Sequence, residues 1–328
     1  MIEVTATGPL NTVQDLGRRG FRNIGVTSCG AMDPLALRVA NVLLGNDEGA
    51  AGIEVQTFPF RATFDADTSV ALTGADCRAT LDGRLLPPWW AITVRAGQEL
   101  VLSPPTSGAR AYLAVAGGID VPLVMGSRAT SLRGDFGGHE GRDLRRGDRF
   151  ATGSAVSLPE EGYGVLPPET ALADHFPAGD TLTLRAIPAG EHDLFTRDAN
   201  RFWAQDWKIS AQSNRTGFRL SGPPVTPDEP VEMRSHGLVP GVVQVPPAGE
   251  PIIQMADANT AGGYPKIAGV IEVDLWRLGQ ARIGSRIRLE RSDTATAIAA
   301  ERAVDAWLND IRRTAPMVTD ALARMAQR

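Results

Sequence analysis

Short runs of aliphatic and β-branched residues, separated by glycine and proline, recur along most of this 328-residue chain. The chain's 35 glycines and 23 prolines supply the turns between these runs. Evenly spaced short strands are typical of packed sheets and barrels rather than of alternating strand and helix units. Examples are residues 69–73, 110–115, 181–185, 241–245 and 251–255. The sequence therefore predicts a mainly β protein with a few helices, α+β in class.

One predicted helix begins after Asp33, which suits the N-cap, with Pro34 at the first helical position and Gly45 at the end. Its apolar residues recur at intervals of three and four, so one face is expected to be buried. They are Leu35, Val39, Val42 and Leu43.

A second predicted helix begins near Thr294, and its apolar residues repeat the same spacing. After Arg313 this pattern fades, so the tail is expected to fray. The residues that carry the pattern are Val304, Trp307, Leu308 and Ile311.

The length of the chain predicts two hydrophobic cores, since domains usually contain about 100–200 residues. Between residues 159 and 180 the sequence is rich in proline, glycine and acidic residues and has little periodicity. We therefore place a linker there. The predicted division is residues 1–160, a linker at 161–180, a second part at 181–314, and a C-terminal tail at 315–328.

Charge and composition exclude several classes of partner. A formal net charge of -5 gives no reason to expect nucleic acid or an anionic membrane surface. No apolar run approaches the roughly 20 residues that span a bilayer, and the N-terminus lacks the layout of a secretion signal. Two cysteines, Cys29 and Cys77, make no disulfide framework. The chain is expected to be cytoplasmic.

Several self-contained chemistries lack their motifs. The sequence contains no GxxxxGK[ST] phosphate loop, no HExxH metal motif and no GxSxG nucleophile elbow. Neither of its two lysines, Lys208 and Lys266, lies between the two methionines that normally flank a biotinylated lysine. We therefore expect no metal site, and any biotin must be attached to another chain.

A first candidate site lies near the predicted first helix. Gln14, Asp15, Arg18 and Asp33 could bind an anion together with the free N–H groups of the helix start. In the alternative interpretation, which we favour for Asp33, that residue is only an N-cap and Asp15 pairs with Arg18 or Arg19. Cys29 could be a nucleophile on a tight turn or a small buried residue.

Paired glycines at 117–118 and 137–138 indicate places where the backbone turns sharply or where a ligand or another strand comes close. We prefer the interpretation as turns between strands. His139, which follows the second pair, has a side chain suited to proton transfer, although a loop histidine is more often merely solvated.

The most suggestive segment spans residues 234–265. Asp257 follows an apolar strand and opens a glycine-rich loop, where polar groups could orient a small amide and move its protons. In the alternative interpretation, Asp257 and Asn259 make side-chain turns that support the loop. The polar residues of this segment are His236, Gln244, Gln254, Asp257, Asn259 and Tyr264.

Taken together, these segments resemble the biotin-dependent carboxyltransferase subdomain A/B family, which includes allophanate hydrolase subunit 2, the KipI antagonist and the C subunit of 5-oxoprolinase. The resemblance covers nearly the whole chain. One departure is the arginine segment at 214–220, which begins with asparagine where the family usually has aspartate. The matching stretches are residues 13–18, 30–33, 40–41, 72–76, 110–118, 126–128, 244–247 and 262–265.

The resemblance implies two β-rich subdomains, a carboxyltransferase subdomain A-like part at 1–160 and a cyclophilin-like subdomain B at 181–314. It also implies a KipI-like partner, the B subunit of 5-oxoprolinase, and a third subunit of the LamB/YcsF type. The implied activity is ATP-dependent opening of 5-oxoproline to glutamate, with ATP used at the level of the complex. Two alternatives stay open: carboxyl transfer from biotin to urea or a similar amide, and a non-enzymatic antagonist of a KipI-type inhibitor.

The resemblance places the site near residues 244–264, facing the partner. There we expect Asp257 and Asn259 to position the small amide substrate, with His236 as a proton carrier. Arg215 or Arg219 would neutralise a substrate carboxylate, because a guanidinium binds carboxylates through two hydrogen bonds. Gln244, Gln254 and Tyr264 complete the expected substrate-binding set.

Overall fold

The computed structural model describes residues 1–152, 158, 161–176, 179 and 181–326, and within them the predicted mainly β class with a few helices is confirmed. The chain forms two compact units. The first unit consists of Met1–Arg18, Asp33–Leu172 and Asp305–Arg328. The second unit consists of Arg19–Met32 and Ala173–Val304.

Two sheets build the first unit. One has the strand order β11-β12-β1-β4-β9-β6-β7 and the other β13-β8-β5-β10-β3-β2. The strands are β1 (Ile2–Ala6), β2 (Thr12–Gln14), β3 (Gly52–Val55), β4 (Phe60–Phe64), β5 (Thr68–Asp76), β6 (Thr80–Leu81), β7 (Arg84–Leu85), β8 (Trp90–Val94), β9 (Glu99–Leu102), β10 (Ser107–Val115), β11 (Ile119–Asp120), β12 (Arg149–Thr152) and β13 (Tyr163–Gly164).

The two longest strands of this unit confirm the sequence pattern. The predicted strands at 69–73 and 110–115 fall within β5 and β10, which pair antiparallel with Leu72 opposite Leu113. In β4, buried Phe60, Ala62 and Phe64 alternate with less buried residues, as expected of a strand with one face in a core.

Helix α1 (Pro34–Leu43) is the predicted first helix. Asp33 is its N-cap, with Oδ1 accepting a hydrogen bond from the Ala36 backbone N–H at 2.8 Å. Gly45 follows the helix in a left-handed conformation, with φ of 69°, that suits glycine. The predicted cap, first residue and end of this helix are therefore confirmed. A short helix, α2 (Pro168–Ala171), also lies in the first unit.

The second unit is built on a closed barrel with the strand order β14-β21-β18-β19-β16-β15-β22, the kind of architecture that a cyclophilin-like subdomain requires. Strands β17 and β20, between which β18 and β19 lie in sequence, pair antiparallel as a separate two-stranded sheet. The strands are β14 (Leu182–Pro188), β15 (Trp207–Ile209), β16 (Gly217–Ser221), β17 (His236–Gly237), β18 (Val242–Gln244), β19 (Ile252–Gln254), β20 (Ala261–Gly262), β21 (Lys266–Val270) and β22 (Arg286–Arg291).

Aliphatic and aromatic side chains fill the barrel core, including Phe218, Val243 and Ile253 from three neighbouring strands. Two short helices, α3 (Ala199–Ala204) and α4 (Leu275–Gln280), also belong to this unit. In the described part of this unit, 3-10 helices also lie at Arg22–Ile24, His192–Phe195 and Glu272–Asp274.

Helix α5 (Thr294–Ala326) runs for 33 residues, so the expectation that the tail frays after Arg313 is wrong. The helix continues through Pro316. Alanine and methionine, which make up six of the 13 residues from 314 to 326, favour a helix even where the apolar spacing is lost. None of the helices in the described ranges is both long and apolar enough to cross a membrane.

The predicted boundaries assumed units that are continuous in sequence. In the structure, each unit is built from separated segments of the chain. The segment Arg19–Met32 belongs with the barrel, and residues from Asp305 onward belong with the first unit. Within the predicted linker, residues 177–178 and 180 lie outside the described residues, and the described part contains β13 and α2. Long-range contacts that no local pattern reveals decide these assignments.

Candidate functional site

An ion pair lies where β16 and β19 meet in the second unit. The Arg215 Nε lies 3.0 Å from Asp257 Oδ2 and its Nη2 lies 3.0 Å from Oδ1, so the pair is bidentate. The Asp257 backbone N–H also donates to the Arg215 carbonyl at 2.9 Å, which extends the pairing of β16 and β19 beyond their ends. Both side chains are about nine-tenths buried, so little water screens the pair.

This geometry places Arg215 and Asp257 together but changes what each can do. Arg215 donates a further hydrogen bond from Nη2 to the Gly30 carbonyl at 2.6 Å. A guanidinium engaged in this way is not free to bind a substrate carboxylate. The Asp257 carboxylate keeps unused lone pairs, because each oxygen can accept two hydrogen bonds. Arg219, in β16, has an exposed side chain and is the freer of the two predicted arginines.

Two buried glutamines form a chain of amide hydrogen bonds on the outer face of the barrel. Gln254 Nε2 donates to Gln244 Oε1 at 3.2 Å, and Gln244 Nε2 donates to the Tyr264 carbonyl at 3.2 Å. Val243 and Ile253, their neighbours along β18 and β19, face the core, so alternation turns the glutamines outward. Gln254 Oε1 is buried and has no hydrogen-bond partner among the described residues.

The two-stranded sheet of β17 and β20 lies beside these glutamines. A Cβ on Gly262 would lie 3.0 Å from Gln244 Nε2 and 2.9 Å from Leu238 Cδ1, so this sheet approaches the glutamine as closely as glycine permits. His236 pairs with Gly262, and its Nε2 is buried without a partner in the described part of the chain. The structure therefore brings His236, Gln244 and Gln254 to one region of the second unit.

The other two predicted binding residues of this region are more exposed. Asn259 has an exposed side chain, and its carbonyl accepts a hydrogen bond from Arg22 Nη2 at 2.8 Å. The Tyr264 side chain is 46% exposed, and only its backbone carbonyl joins the glutamine chain. The phenol of Tyr264 is thus available to a ligand or partner but does not shape the buried part of the site.

Arg22 is a residue that the sequence reasoning missed. Its Nη2 donates to the carbonyls of Leu238, which follows β17, and of Asn259, which precedes β20. Its Nη1 donates to Ser28 Oγ at 3.3 Å. Burial lowers the pKa of Arg22 from its usual value. No signal in the sequence distinguishes this arginine from the others, because its acceptors are backbone carbonyls more than 200 positions away.

Cys29 lies in the same segment as Arg22. It is 6% exposed and adopts a φ of 54°, a left-handed conformation that is uncommon for a residue with a side chain. Its Sγ lies 3.2 Å from Thr27 Oγ1. Cys29 is therefore buried in a left-handed conformation next to Gly30, the residue that accepts the hydrogen bond from Arg215.

The candidate anion site predicted near the first helix, which lies in the first unit, does not form one cluster. Its residues are Gln14, Asp15, Arg18 and Asp33. Asp15 accepts hydrogen bonds from Gly17 N–H, Ser127 Oγ and the Arg128 N–H. In the alternative interpretation Asp15 pairs with Arg18 or Arg19, whereas the structure gives its carboxylate these backbone and hydroxyl donors instead. Gln14 Nε2 donates to Thr12 Oγ1 at 2.9 Å and to the Thr130 carbonyl at 3.3 Å.

Asp33, besides capping α1, belongs to a different buried group that the sequence did not indicate. Its backbone N–H donates to the Tyr112 hydroxyl at 2.7 Å, and that hydroxyl donates to Glu54 Oε2 at 2.7 Å. Burial, reinforced by the charge of Glu54, raises the pKa of Tyr112 well above its usual value. The phenol therefore stays protonated as a donor, which is a structural role.

Within the described residues, no group of three or more His, Cys, Asp or Glu side chains is placed to hold a metal ion. The polar groups of the second unit are instead amides, a carboxylate paired with arginine, and an imidazole. Such groups bind and orient small polar molecules through hydrogen bonds.

Two curated proteins, both C subunits of a 5-oxoprolinase, match this chain almost end to end. The one from Escherichia coli (strain K12) is 43% identical over 303 residues, which cover 92% of this chain and 94% of that protein. The one from Haemophilus influenzae is 40% identical over 314 residues, which cover 95% of this chain and 98% of that protein.

A solved structure adds a second activity among the relatives. The crystal structure of the Kluyveromyces lactis urea carboxylase matches 94% of this chain with a TM-score of 0.86 and 29% sequence identity. This chain spans 29% of the length of that protein. The family described as "Carboxyltransferase domain, subdomain A and B" matches residues 24–291. This match extends over most of both units, and the chain belongs to that family.

Proposed function

We propose that this chain is the C subunit of an ATP-dependent 5-oxoprolinase, which converts 5-oxoproline to glutamate together with a KipI-like B subunit and a LamB/YcsF-type A subunit. The observation that carries the proposal is the 43% identity to the E. coli protein over 94% of its length. A match of this extent leaves no large part of that relative without a counterpart here.

The hydrogen-bonding groups of the second unit suit a lactam. 5-oxoproline has one amide N–H, one amide carbonyl and one carboxylate. Gln254 Oε1, whose own Nε2 is fixed on Gln244, is an acceptor without a donor and fits the amide N–H. Asp257 offers further acceptor positions, and Asn259 supplies an amide at the loop.

The substrate carboxylate requires a cation other than Arg215, which is engaged with Asp257 and Gly30. Arg219 extends from the same strand, and its side chain is exposed. In register, Gly217 lies opposite Gln254, so Arg219 is on the same barrel face, one diagonal step from Gln254. We therefore assign the carboxylate to Arg219.

His236 is the proposed proton carrier, since its buried Nε2 has no partner in the described residues. Both Nε2 and Gln254 Oε1 are enclosed, so substrate entry requires movement of the two-stranded sheet of β17 and β20. In that sheet two residues of each strand pair, so local opening costs little free energy relative to unfolding of the barrel. ATP acts at the level of the complex.

The test is reconstitution of the chain with its B and A subunits and measurement of ATP-dependent glutamate formation from 5-oxoproline. The variant is Asp257→Ala, and the matched control is Asp206→Ala, which removes a more exposed ion pair with Arg288 in the same unit. We expect turnover by the wild type and the control and loss of turnover by Asp257→Ala in an intact assembly. Full activity of Asp257→Ala would remove the site assignment while leaving the subunit assignment in place.

A second candidate function is carboxyl transfer from biotin to urea or a similar amide. The TM-score of 0.86 to a urea carboxylase favours it. Biotin would be attached to another chain, because neither Lys208 nor Lys266 has the flanking methionines. The distinguishing assay supplies carboxybiotin on a carrier protein and measures urea-dependent loss of the carboxyl group. Activity in this assay without 5-oxoproline turnover would replace the first proposal.

A third candidate is a regulator that binds a KipI-type inhibitor without chemistry of its own. Binding to a KipI-like protein does not separate this function from the first, because both require the same partner. The regulator interpretation predicts that Asp257→Ala and Gln254→Leu leave partner binding and function unchanged. Loss of turnover in those variants with partner binding intact would exclude it.

A further inference from the structure

Arg18, in the first unit, is among the largest fully buried side chains of the protein, with 1% of its surface exposed. Its Nη2 donates one hydrogen bond, to the Ala129 carbonyl at 2.5 Å. The ring of Phe136 covers one face of the guanidinium, 4.8 Å from Cζ to the ring centroid. Nε and Nη1 are closed off from solvent and have no hydrogen-bond partner among the described residues.

No carboxylate in the described part of the chain lies within 4.0 Å of Arg18 to balance its charge. The carboxylate nearest in sequence, that of Asp15, is occupied by Gly17, Ser127 and Arg128. The guanidinium of Arg18 carries a full positive charge. An unpaired buried cation is strongly unfavourable, and native structures place an anion beside it.

The segment that covers Arg18, residues 131–141, places further backbone N–H donors near the guanidinium. A Cβ on Gly137 would lie 2.8 Å from Arg18 Nη2, so the backbone of this glycine is in close contact with the guanidinium. Gly137 and Gly138 are buried and have φ of 72° and 52°, a left-handed conformation. Within the described ranges, neither backbone N–H donates a hydrogen bond. Successive free amides of this kind form anion-binding concavities.

We propose that Arg18, with the backbone amides of Gly137 and Gly138, binds a small planar oxyanion, either a carboxylate or bicarbonate. Both ions present an O–C–O group that accepts hydrogen bonds from a guanidinium and from amides at the same time. The planar shape suits a guanidinium whose one face is already covered by Phe136. This site uses none of the residues assigned to the amide substrate and stands or falls independently of the proposed function.

Because Arg18 is buried, admission of the ion requires the covering segment to shift. It is tied together internally, by the Ser131 N–H to the Phe136 carbonyl at 2.9 Å and the Gly141 N–H to the Gly137 carbonyl at 2.8 Å. These bonds keep the segment's own shape when it shifts, so opening exposes Arg18 without loss of the turn.

The first experiment measures the thermal unfolding of the full-length chain with formate, acetate, bicarbonate or phosphate, at constant ionic strength against chloride. We expect a planar oxyanion at saturation to raise the Tm of the wild type by about 3 °C or more. Arg18→Met should abolish the rise, and Arg19→Met, which removes the same charge from the exposed neighbouring residue, should keep it. The formate and acetate arms separate a carboxylate from bicarbonate.

Equal responses in Arg18→Met and wild type, or a response to phosphate alone, would overturn the proposal. Because Arg18→Met could fail to fold, a second experiment uses only the wild type. Crystals grown with bromide, a heavy-atom probe of anion sites, should show an anomalous peak within hydrogen-bonding distance of the Arg18 guanidinium, and acetate should displace it. A water molecule or an empty contact at that position would contradict an anion site.

Discussion

Gln254 carries a buried acceptor, Oε1, that no donor in the described residues satisfies. Its amide orientation is not arbitrary, because Nε2 must face Gln244 Oε1 and Gln244 Nε2 must face the Tyr264 carbonyl. The chain of amides therefore has a direction and ends in a free acceptor. A ligand N–H that meets this acceptor gains a full hydrogen bond in an environment of low polarity.

The first prediction concerns Gln254→Leu, which keeps the volume and removes the amide. Catalytic efficiency, kcat/KM, of the reconstituted 5-oxoprolinase should fall about tenfold, the effect of one lost hydrogen bond. Stability should fall by about 1–3 kcal/mol, because Gln244 Oε1 loses its donor. Steady-state kinetics and urea unfolding measure the two effects, and Gln212→Leu, at an exposed glutamine of the same unit, should change neither.

Cys77, 5% exposed in the first unit, gives a prediction about alkaline pH. Burial raises the pKa of its thiol to about 12, against about 8.5 in an unfolded chain. Because the folded state holds the proton more tightly, this contribution to stability is complete below about pH 8.5 and is lost as the pH rises toward 12.

Urea unfolding of wild type and Cys77→Ala between pH 7.5 and about 10.5 tests this second prediction. Cys77→Ala should be less stable at neutral pH because of the lost side-chain volume, but it should lose less stability than the wild type as the pH rises. Parallel stability curves for the two proteins would show that the buried thiol does not cause the difference. In native protein at pH 8 the thiol of Cys77 should also resist alkylation.

At the scale of elements, the two-stranded sheet of β17 and β20 is held against the barrel by close packing rather than by a long row of backbone hydrogen bonds. Gly262 is the closest point of approach, facing both Gln244 and Leu238. A Cβ added to Gly237, on the other strand of this two-stranded sheet, would meet nothing within 4 Å, so this glycine faces open space.

The third prediction compares alanine at these two glycines. Gly262→Ala should push the two-stranded sheet of β17 and β20 away from the glutamines. We expect kcat/KM to fall about tenfold or more, because the glutamine amides are displaced from the substrate. Gly237→Ala should leave activity within about twofold. Far-UV circular dichroism checks that both variants keep the barrel. Equal activity of the two variants would show that the two-stranded sheet of β17 and β20 does not position the site.

Local sequence patterns predicted several elements because the information for them is local. Short runs of aliphatic and β-branched residues indicated β5 and β10, and Asp33, Pro34 and Gly45 indicated the bounds of α1. Helix α5 was only half predicted, since the apolar spacing stops at Ile311 while the helix continues. The part beyond Arg313 depends on helix propensity, which is a weaker signal than periodicity.

The site was predictable in its residue types but not in its pairings. Asp257 was recognisable as a carboxylate at the end of a strand, whereas its partner Arg215 could be identified only once β16 was seen beside β19. Arg22 was invisible to sequence reasoning because it binds carbonyls, which every residue has. The network of Glu54 and Tyr112 was missed for a related reason, since it joins separate strands of the first unit.

At the scale of the whole molecule, the second unit is assembled from two distant parts of the chain. Residues Arg19–Met32 join Ala173–Val304 although 140 residues separate them. Met32 contributes to the barrel core, Gly30 accepts a hydrogen bond from Arg215, and Arg22 binds the carbonyls of Leu238 and Asn259. The short segment therefore supports both the core and the loops of the candidate site.

The last prediction follows from this assembly. A fragment of residues 173–304 lacks the acceptor for Arg215, the donor for the loop carbonyls and one core side chain, so it should unfold with low cooperativity. Fusing residues 19–32 to the fragment through a flexible glycine–serine linker should restore a cooperative thermal transition, since the linker adds only a modest loop-closure entropy. The same fusion with Arg22→Met and Gly30→Pro would serve as the control, because it supplies the segment with altered contacts. If the bare fragment melts as cooperatively as the fusion, residues 19–32 are not needed to fold the barrel. That outcome would favour the predicted domain boundary at residue 181.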